Sequence, residues 1–360
     1  MLPLGAYHDG QVLDRELTEL FGRDWLCAAR TTDLAAVGDH RCVDVPAADG
    51  GARSIIVVRA DDGIRAFDNA CVHRGAPLVS DDGNASRFTC PYHAWVYRLD
   101  GTLVGAPYMQ GASDASGKPF APAAHRLGEL AVETWEGFVF VNQDPDTAPL
   151  GPRLGGLRDV VGRYGMDRYV SVRAEVEVWS TNWKLLVENF LDAYHVFHVH
   201  RASFGADGDS TDETEIHPGT LDWTHHRVVH ASGPDLAAPA NVLDGDWRKT
   251  VVVAAVFPGL VMQLQPDWMW TLQISPLGTD RVRVESRVAV APETLDAVGD
   301  RTAWLDGLFG LIDQVNGEDR PVVEAIRRNV ERPQFARAPL SPLERNVVDF
   351  DRYVATRLTR

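Results

Sequence analysis

Two short segments, Cys71-Val-His73 and Cys90-Pro-Tyr-His93, constrain this chain more than any other feature. Each offers one thiolate and one imidazole, and sixteen residues separate His73 from Cys90. The neighbouring glycines and prolines let the backbone come close to whatever is bound. This soft, mixed donor set suits tetrahedral zinc or an iron–sulfur cluster in which two histidines replace two cysteines on one iron. Zinc fingers usually present cysteine pairs and then histidine pairs. Here each segment mixes the two types, so one segment can reach both irons of a cluster. The surrounding texture is that of short β runs, at 41–45, 54–60, 63–69, 88–90, 94–98 and 137–142. Asp61-Asp62-Gly63, Asp81-Asp82-Gly83 and Asp100-Gly101 are turn signals between them, so a small all-β module is predicted. Gln11 to Phe21 precedes it with Leu13, Leu17, Leu20 and Phe21 at helical spacing. Cys27 and Cys42 fall outside the segments and read as free, partly buried thiols.

A second concentration of donors lies at 182–200, where Glu188, Asp192, His195, His198 and His200 stand among large apolar residues. Tyr169 to Trp179 alternates as a strand before it, and Thr181 or Asn182 can cap the helix that follows. On a helix, Asp192 and His195 share a face, so the acid can orient the imidazole for a metal. His195 and His198 are on-face, whereas His195 and His200 are off-face for a straight helix. Spacing therefore leaves the second histidine open. The alternative is a core helix whose histidines are only satisfied by hydrogen bonds, and three histidines with a carboxylate argue against it.

The length of 360 residues exceeds what one hydrophobic core accommodates, so two modules are expected, with a Pro- and Gly-rich boundary at 144–156. The formal charge of −16 argues against a nucleic-acid footprint and against anionic membrane surfaces. No apolar run reaches the ~20 residues of a membrane span, and the N-terminus lacks a basic segment followed by an apolar one. A cytoplasmic protein is the expectation. Four cysteines in a chain this long form no disulfide framework. There is no Gly-rich phosphate loop after a strand and no flavin or nicotinamide fingerprint, so electrons must come from another protein.

The paired segments, with Pro77 after the first and Tyr92, Trp95 and Tyr97 around the second, resemble the Rieske [2Fe-2S] motif. Neither segment carries the extra cysteine of the high-potential respiratory members, so the resemblance is to the ferredoxin and oxygenase branch. The order of strand, Asn182-Trp-Lys, Glu188-Asn, Asp192, Tyr194-His195 and His200 downstream of such a module is similar to the α subunit of the Rieske non-heme iron oxygenases. The resemblance implies an α+β fold: a small all-β [2Fe-2S] domain and a catalytic domain with an antiparallel sheet flanked by helices, of helix-grip type. Residues 1–37 would be an N-terminal helical segment packing on the catalytic domain, 38–150 the Rieske domain and 151–360 the catalytic domain. It assigns Cys71, His73, Cys90 and His93 to the cluster, and His195 and His200, rather than His198, to a mononuclear Fe(II). It implies that Asp192 bonds His195 and, across a subunit contact, the second cluster histidine, here His93, as an electron bridge.

The third iron ligand must come from far along the chain. After β segments at 250–256, 260–274 and 281–291, helices are predicted at 293–315 and 319–330. The stretch Val315-Asn-Gly-Glu-Asp319-Arg-Pro resembles the family's acidic stretch, which implies Asp319, with Asp313 and Glu318 as lesser candidates. The competing reading makes Asp319 a helix-start acid beside Pro321. Ser341-Pro-Leu-Glu344 reads as a capping box opening a last amphipathic helix. The resemblance further implies dioxygen as co-substrate, a separate NAD(P)H-dependent flavin or ferredoxin reductase, and a homotrimer or a multiple of it. The substrate would be a small aromatic or quaternary-ammonium compound that is hydroxylated or demethylated. Phe204, Val253, Phe257, Met262, Leu264, Trp268 and Trp270 are the apolar candidates for its pocket, with Trp268 and Trp270 as a candidate cation cage. Some quaternary-ammonium members carry Glu at the position of Asp192, and Ala94 stands where Gly is usual. An electron carrier without oxygenase activity and a zinc-stabilised binding protein are the alternatives.

Overall fold

The computed structural model describes residues 2–47, 49–113, 116–204, 213–230, 235–238, 241–332 and 339–359. Two compact units divide the chain: Trp25–Ala47 with Gly51–Pro149, and Met1–Asp24 with Ala48–Gly50 and Leu150–Arg360.

The first unit is all β. Its strands are β1 (Leu26–Arg30), β2 (Asp39–Pro46), β3 (Ala52–Ala60), β4 (Gly63–Asp68), β5 (Gly83–Asn84), β6 (Phe88–Thr89), β7 (Val96–Tyr97), β8 (Leu103–Gly105), β9 (Glu129–Trp135) and β10 (Phe138–Asn142). Seven of them form a sheet in the order β1-β10-β9-β4-β3-β2-β5, and β6-β7-β8 form a small second sheet. Ile55, Ile56, Val57 and Val58 are all fully buried, as expected where both faces of a central strand are covered. Phe67, Phe88, Trp95, Tyr97 and Leu103 pack in one apolar cluster that also takes in Cys71 and Cys90. Gly101 lies at φ +81°, and a Cβ there would meet the Phe67 ring at 2.6 Å, so only glycine lets this turn close over the core. The stretch from Trp25 to Val37 belongs to this unit, not to an N-terminal helical segment. Leu26, Ala28 and Ala29 are buried, and β1 gains its backbone partners from β10.

The second unit is built on a seven-stranded sheet, antiparallel throughout. Its strands are β11 (Val170–Trp179), β12 (Thr214–His217), β13 (Trp223–Val229), β14 (Thr250–Val256), β15 (Leu260–Leu264), β16 (Trp268–Pro276) and β17 (Val282–Val290), in the order β11-β17-β16-β15-β14-β13-β12. The single run expected at 260–274 is a hairpin, broken where Gln265-Pro-Asp267 turns the chain. Its helices are α1 (Gly10–Glu16), α2 (Gly155–Val161), α3 (Trp183–Leu191), α4 (Val196–Val199), α5 (Pro292–Ala297), α6 (Arg301–Asn329) and α7 (Arg345–Leu358).

Helix α6 is continuous across the point where two helices were expected, and Pro321 sits inside it. The proline removes one i→i−4 bond, toward Gly317, where the absence of a side chain leaves the opposing turn uncrowded. Leu308, Ile312, Val315, Asp319, Val323 and Arg327 are its buried residues, one stripe at steps of three and four. Asp319 is therefore a carboxylate in an apolar stripe and not a helix-start acid. Helix α7 opens with the expected box, Ser341 Oγ accepting from Leu343 N and Glu344 accepting from Ser341 N. From α7, Tyr353 and Arg357 reach Asp24 at 2.8 and 2.9 Å, and Arg153 reaches it at 3.0 Å. This places a buried acid between two guanidinium groups and pins the N-terminal segment to the last helix. Lys184 of α3 reaches Glu16 of α1 at 2.7 Å with both side chains buried.

Candidate metal centre and the cavity beside it

Asn182 starts α3 by accepting from Lys184 N at 3.0 Å, and the helix stops at Leu191. The reason is local. Asp192 is extended (ψ 107°), and its Oδ1 accepts from Tyr194 N at 2.6 Å, the side-chain-to-backbone turn with which Asp competes against helix. Asp192 and His195 thus do not share a helix face as spacing suggested. His195 stands before the single turn of α4 and His200 just after it, which is how two histidines five apart come to face one point. Their Nε2 atoms are 3.2 Å apart. Asp319 Oδ1 lies 3.4 Å from His195 Nε2 and 3.3 Å from His200 Nε2. His198, on the exposed side of the same turn, contributes nothing to this point.

Two lone-pair nitrogens and a carboxylate oxygen converging at this range repel unless a positive charge sits among them. Asp319 Oδ1 is buried and has no hydrogen-bond partner. Ligand bonds of about 2.1 Å at right angles would put three donors about 3.0 Å apart, close to the observed triangle. The residues therefore fit one metal ion, and among the described residues these three are the group able to hold one. Electrostatics agree. Burial works against a charge on His195, but the carboxylates of Asp192 and Asp319 outweigh it and hold the imidazole up at about 9. Burial would raise Asp319, yet His195 and His200 hold it down to about 2. Metal binding at these donors must compete with a proton on His195.

The outer partners differ for the two histidines. Glu318 Oε2 lies 2.9 Å from His200 Nδ1 and also accepts from Ser203 Oγ at 2.7 Å, while Gln314 donates to its other oxygen at 3.0 Å. Glu318 is therefore not a third ligand but the acid that fixes the His200 ring with Nε2 toward the centre. Asp192 Oδ2 stands 3.5 Å from His195 Nδ1, within ion-pair range but too long for a good hydrogen bond. Asp313 is exposed and bound to Arg173 at 2.5 Å, away from the centre.

A cavity of about 300 Å³ opens beside the three donors. Its walls follow strand alternation: His226 and Val228 of β13, Val251 and Val253 of β14, Gln263 of β15 and Trp270 of β16 all face it. Phe190 of α3, Phe204 and Val315 of α6 close it. Of the pocket candidates, Phe204, Val253 and Trp270 line it. Met262 and Leu264 have the opposite parity to Gln263 on β15, Trp268 shares the strand face of Trp270 but stands at the first position of β16, Phe257 follows the end of β14, and none of the four lines it. Of the two tryptophans only Trp270 borders the cavity, so they form no cage there together. The sequence reading missed His226 because β12 and β13 were not foreseen, although Trp223 to Val229 carries the strand-forming residue types that would have shown them.

In the all-β unit, Cys71 and Cys90 are buried while His73 and His93 are exposed at the loop tips. The two imidazoles stand 4.7 Å apart by ring centroid, and His73 stacks on Trp95 at 4.6 Å. The first loop closes through Gly75 N to Cys71 O at 2.7 Å, and the second through Ala94 N to Cys90 O at 3.0 Å. Tyr97 Oη is 3.1 Å from Cys71 Sγ. Burial pushes the Cys90 thiol up, but the backbone N–H groups of His93 and Tyr92 and the Cys71 side chain pull it below its ordinary value. Sulfurs in an apolar floor beneath two solvent-facing imidazoles fit a cluster with a sulfur-bound inner iron and a histidine-bound outer iron.

Comparison with known proteins matches each part of the chain to a domain family. Residues 24–126 match the Rieske [2Fe-2S] domain family, and residues 166–360 match the ring hydroxylating alpha subunit (catalytic domain) family. The chain is 33% identical to the anthranilate 1,2-dioxygenase large subunit of Burkholderia cepacia, over 100% of this chain and 90% of that protein. It is 28% identical to the glycine betaine monooxygenase oxygenase subunit of Chromohalobacter salexigens, over 100% of this chain and 86% of that protein. In fold it is similar to a quaternary ammonium Rieske monooxygenase, with TM-score 0.83, 22% identity and coverage of 99% and 95% of the two chains. It is likewise similar to naphthalene 1,2-dioxygenase from Rhodococcus sp., with TM-score 0.79, 23% identity and coverage of 99% and 94%. A [2Fe-2S] cluster and a mononuclear iron are the groups these two domain families carry, and among the described residues no helix is long and apolar enough to cross a membrane. The chain belongs to the ring-hydroxylating α subunits of the Rieske non-heme iron oxygenases.

Proposed function

We propose that this protein is the terminal component of an oxygenase system in which His195, His200 and Asp319 hold Fe(II), and Cys71, His73, Cys90 and His93 hold the [2Fe-2S] cluster. The observation that carries this reading is the triangle of two Nε2 atoms and one buried, unpartnered carboxylate oxygen opening onto a cavity. Bound there, ferrous iron supplies dioxygen activation with electrons relayed from the cluster, to hydroxylate or oxidatively demethylate a small aromatic or quaternary-ammonium compound. The protein's own contribution is placement and dryness. Glu318 holds the His200 ring, the Asp192 turn aims His195, and the apolar walls from Phe190, Val253 and Trp270 exclude water from the reacting position. Asp192 serves as the inter-subunit electron bridge in a homotrimer or a multiple of it, and a separate NAD(P)H-dependent reductase fills the cluster. The protein works in the cytoplasm.

Anaerobically purified protein should contain about three irons and two acid-labile sulfides per chain, two irons in the cluster and one mononuclear. Reduced by a ferredoxin-type reductase, it should consume oxygen in proportion to product from an aromatic or quaternary-ammonium compound. Cluster iron alone, with no oxygen uptake on any such compound, would overturn the reading.

A further inference from the structure

His226 projects from β13 into the cavity wall, and the direction of every hydrogen bond behind it is fixed by groups that can act in one way only. Asn346 of α7 places its Nδ2 at 2.9 Å from the carbonyl of His225 and 3.4 Å from the carbonyl of His217. Carbonyls only accept, so the amide nitrogen must face them and the amide oxygen must face the other way. That oxygen lies 3.2 Å from His226 Nδ1. The same Nδ2 is 2.6 Å from Thr224 Oγ1, whose hydroxyl donates to Asp349 Oδ2 at 3.1 Å, a carboxylate oxygen that also accepts from Gly219 N at 2.7 Å. Thr224 and Asn346 are wholly buried and Asp349 nearly so, so no water competes for these positions. Asn346 Oδ1 can then only accept, and His226 Nδ1 must carry the proton. Burial holds the imidazole in its neutral form, with its pKa lowered to about 4 despite the Asn346 hydrogen bond. Its Nε2 is left as a bare lone pair with no protein partner among the described residues.

We infer that His226 is a specificity-determining residue whose Nε2 accepts a hydrogen bond from the substrate, so that the cavity selects a single-ring aromatic compound bearing an N–H or O–H group. The inference deepens the proposed function by choosing within its substrate class. A quaternary nitrogen has no N–H to donate, so a ligand of that class without a hydroxyl would cover His226 Nε2 and leave it unpaired. Rejection of an analogue that leaves a site's polar group unmatched is stronger than rejection by shape. Phe190, Phe204 and Trp270 offer flat apolar walls, and about 300 Å³ suits one ring with small substituents. No lysine or arginine is among the described residues lining the cavity, so a substrate carboxylate would find no Lys or Arg ion-pair partner there.

The test is calorimetric binding of aniline, toluene and phenyltrimethylammonium to the anaerobic holoenzyme, with iron content and oxygen uptake measured on the same samples. Aniline and toluene share a shape and differ in the N–H donors. Aniline should bind about tenfold more tightly than toluene, the scale of one buried hydrogen bond, and more tightly than phenyltrimethylammonium. In His226→Phe, which keeps a ring and removes the acceptor, the aniline-to-toluene ratio should fall to about one. Equal affinity for the two in the unaltered protein, including binding of neither, overturns the inference. So does tightest binding of phenyltrimethylammonium, or a ratio that survives in His226→Phe. The comparison in the unaltered protein stands by itself should the variant fold poorly. Missing mononuclear iron or oxygen uptake would count against the oxygenase reading, whereas indiscriminate binding by iron-replete protein counts only against the role of His226.

Discussion

Glu318 and Asp319 are neighbours on α6 that serve the same histidine from opposite sides: Glu318 Oε2 lies 2.9 Å from His200 Nδ1, while Asp319 Oδ1 lies 3.3 Å from His200 Nε2. One acid holds the ring and the next shares its metal-facing point. Glu318→Ala should therefore weaken iron binding about 10- to 100-fold, as loss of a ligand's outer partner generally does. Glu318→Gln, which keeps an acceptor, should lose much less. Iron titration of apoprotein read by metal analysis, with the cluster's visible spectrum as internal control, checks this. Equal iron affinity in Glu318→Ala and the parent would remove the orienting role.

The three nearby histidines should separate cleanly. His195→Ala and His200→Ala should each lose mononuclear iron while the cluster's absorbance stays, because the cluster donors lie in the other unit. His198→Ala, exposed on the outer side of the α4 turn, should retain both iron and turnover to within about twofold. Loss of iron from His198→Ala alone would refute the assignment of donors.

Asp192→Ala should keep both the cluster and the mononuclear iron yet lose most turnover. Removing the carboxylate also lets the His195 pKa fall from about 9, because one of its two supporting charges is gone. Single-turnover oxygen consumption under pre-reduced conditions separates an electron-relay defect from an iron-binding defect. Normal coupled turnover in this variant would rule out the bridging role.

Ala94 occupies the left-handed region at φ +55°, in the second cluster loop, where Gly75 occupies it at φ +75° in the first. A Cβ in that region costs about 1–2 kcal/mol, partly offset by the greater unfolded-state freedom of glycine. Ala94→Gly should stabilise the cluster-bearing unit by up to about 1 kcal/mol. The rate at which the cluster's absorbance bleaches on heating should slow, and faster bleaching would contradict the strain argument.

Acid should destabilise the catalytic unit through its buried neutral histidines. Burial lowers His225 and His226 to about 4, whereas the unfolded chain takes up these protons near pH 6.5. Between those values the unfolded state binds more protons, so stability is full above about pH 6.5 and falls as the pH drops toward 4. For the fully buried His226 the loss is at most about 3 kcal/mol. Urea midpoints at pH 7 and pH 5 should fall less in His226→Phe than in the parent. Equal falls would show that another group governs the acid limb.

Particular residues show how much could be read in advance. Cys71, His73, Cys90 and His93 were legible because their chemistry lies in two short loops, where sequence distance is spatial distance. The start of α7 after Ser341 was legible for the same reason, since a capping box spans four residues. Asp319 was legible as a candidate only through the resemblance of its stretch; the competing helix-start reading fell away, and its place in the stripe Leu308, Ile312, Val315, Val323 is the signal the residues themselves carry. The broken helix at Asp192 was not read, because the turn it makes with Tyr194 competes with helix by less than the propensities of the flanking residues reveal.

Which atoms are able to serve as donors follows from residue type alone: thiolates and imidazoles in two loops, imidazoles and carboxylates near 195 and 319. Which of them meet was decided only when the chain packed. Glu318 meets His200 across 118 residues, and His226 meets Asn346 across 120. Such pairings depend on the parity of a strand and the rotation of a helix about its axis. Both are set by burying one face of each element against the sheet, a choice made jointly by many apolar contacts and encoded at no single position.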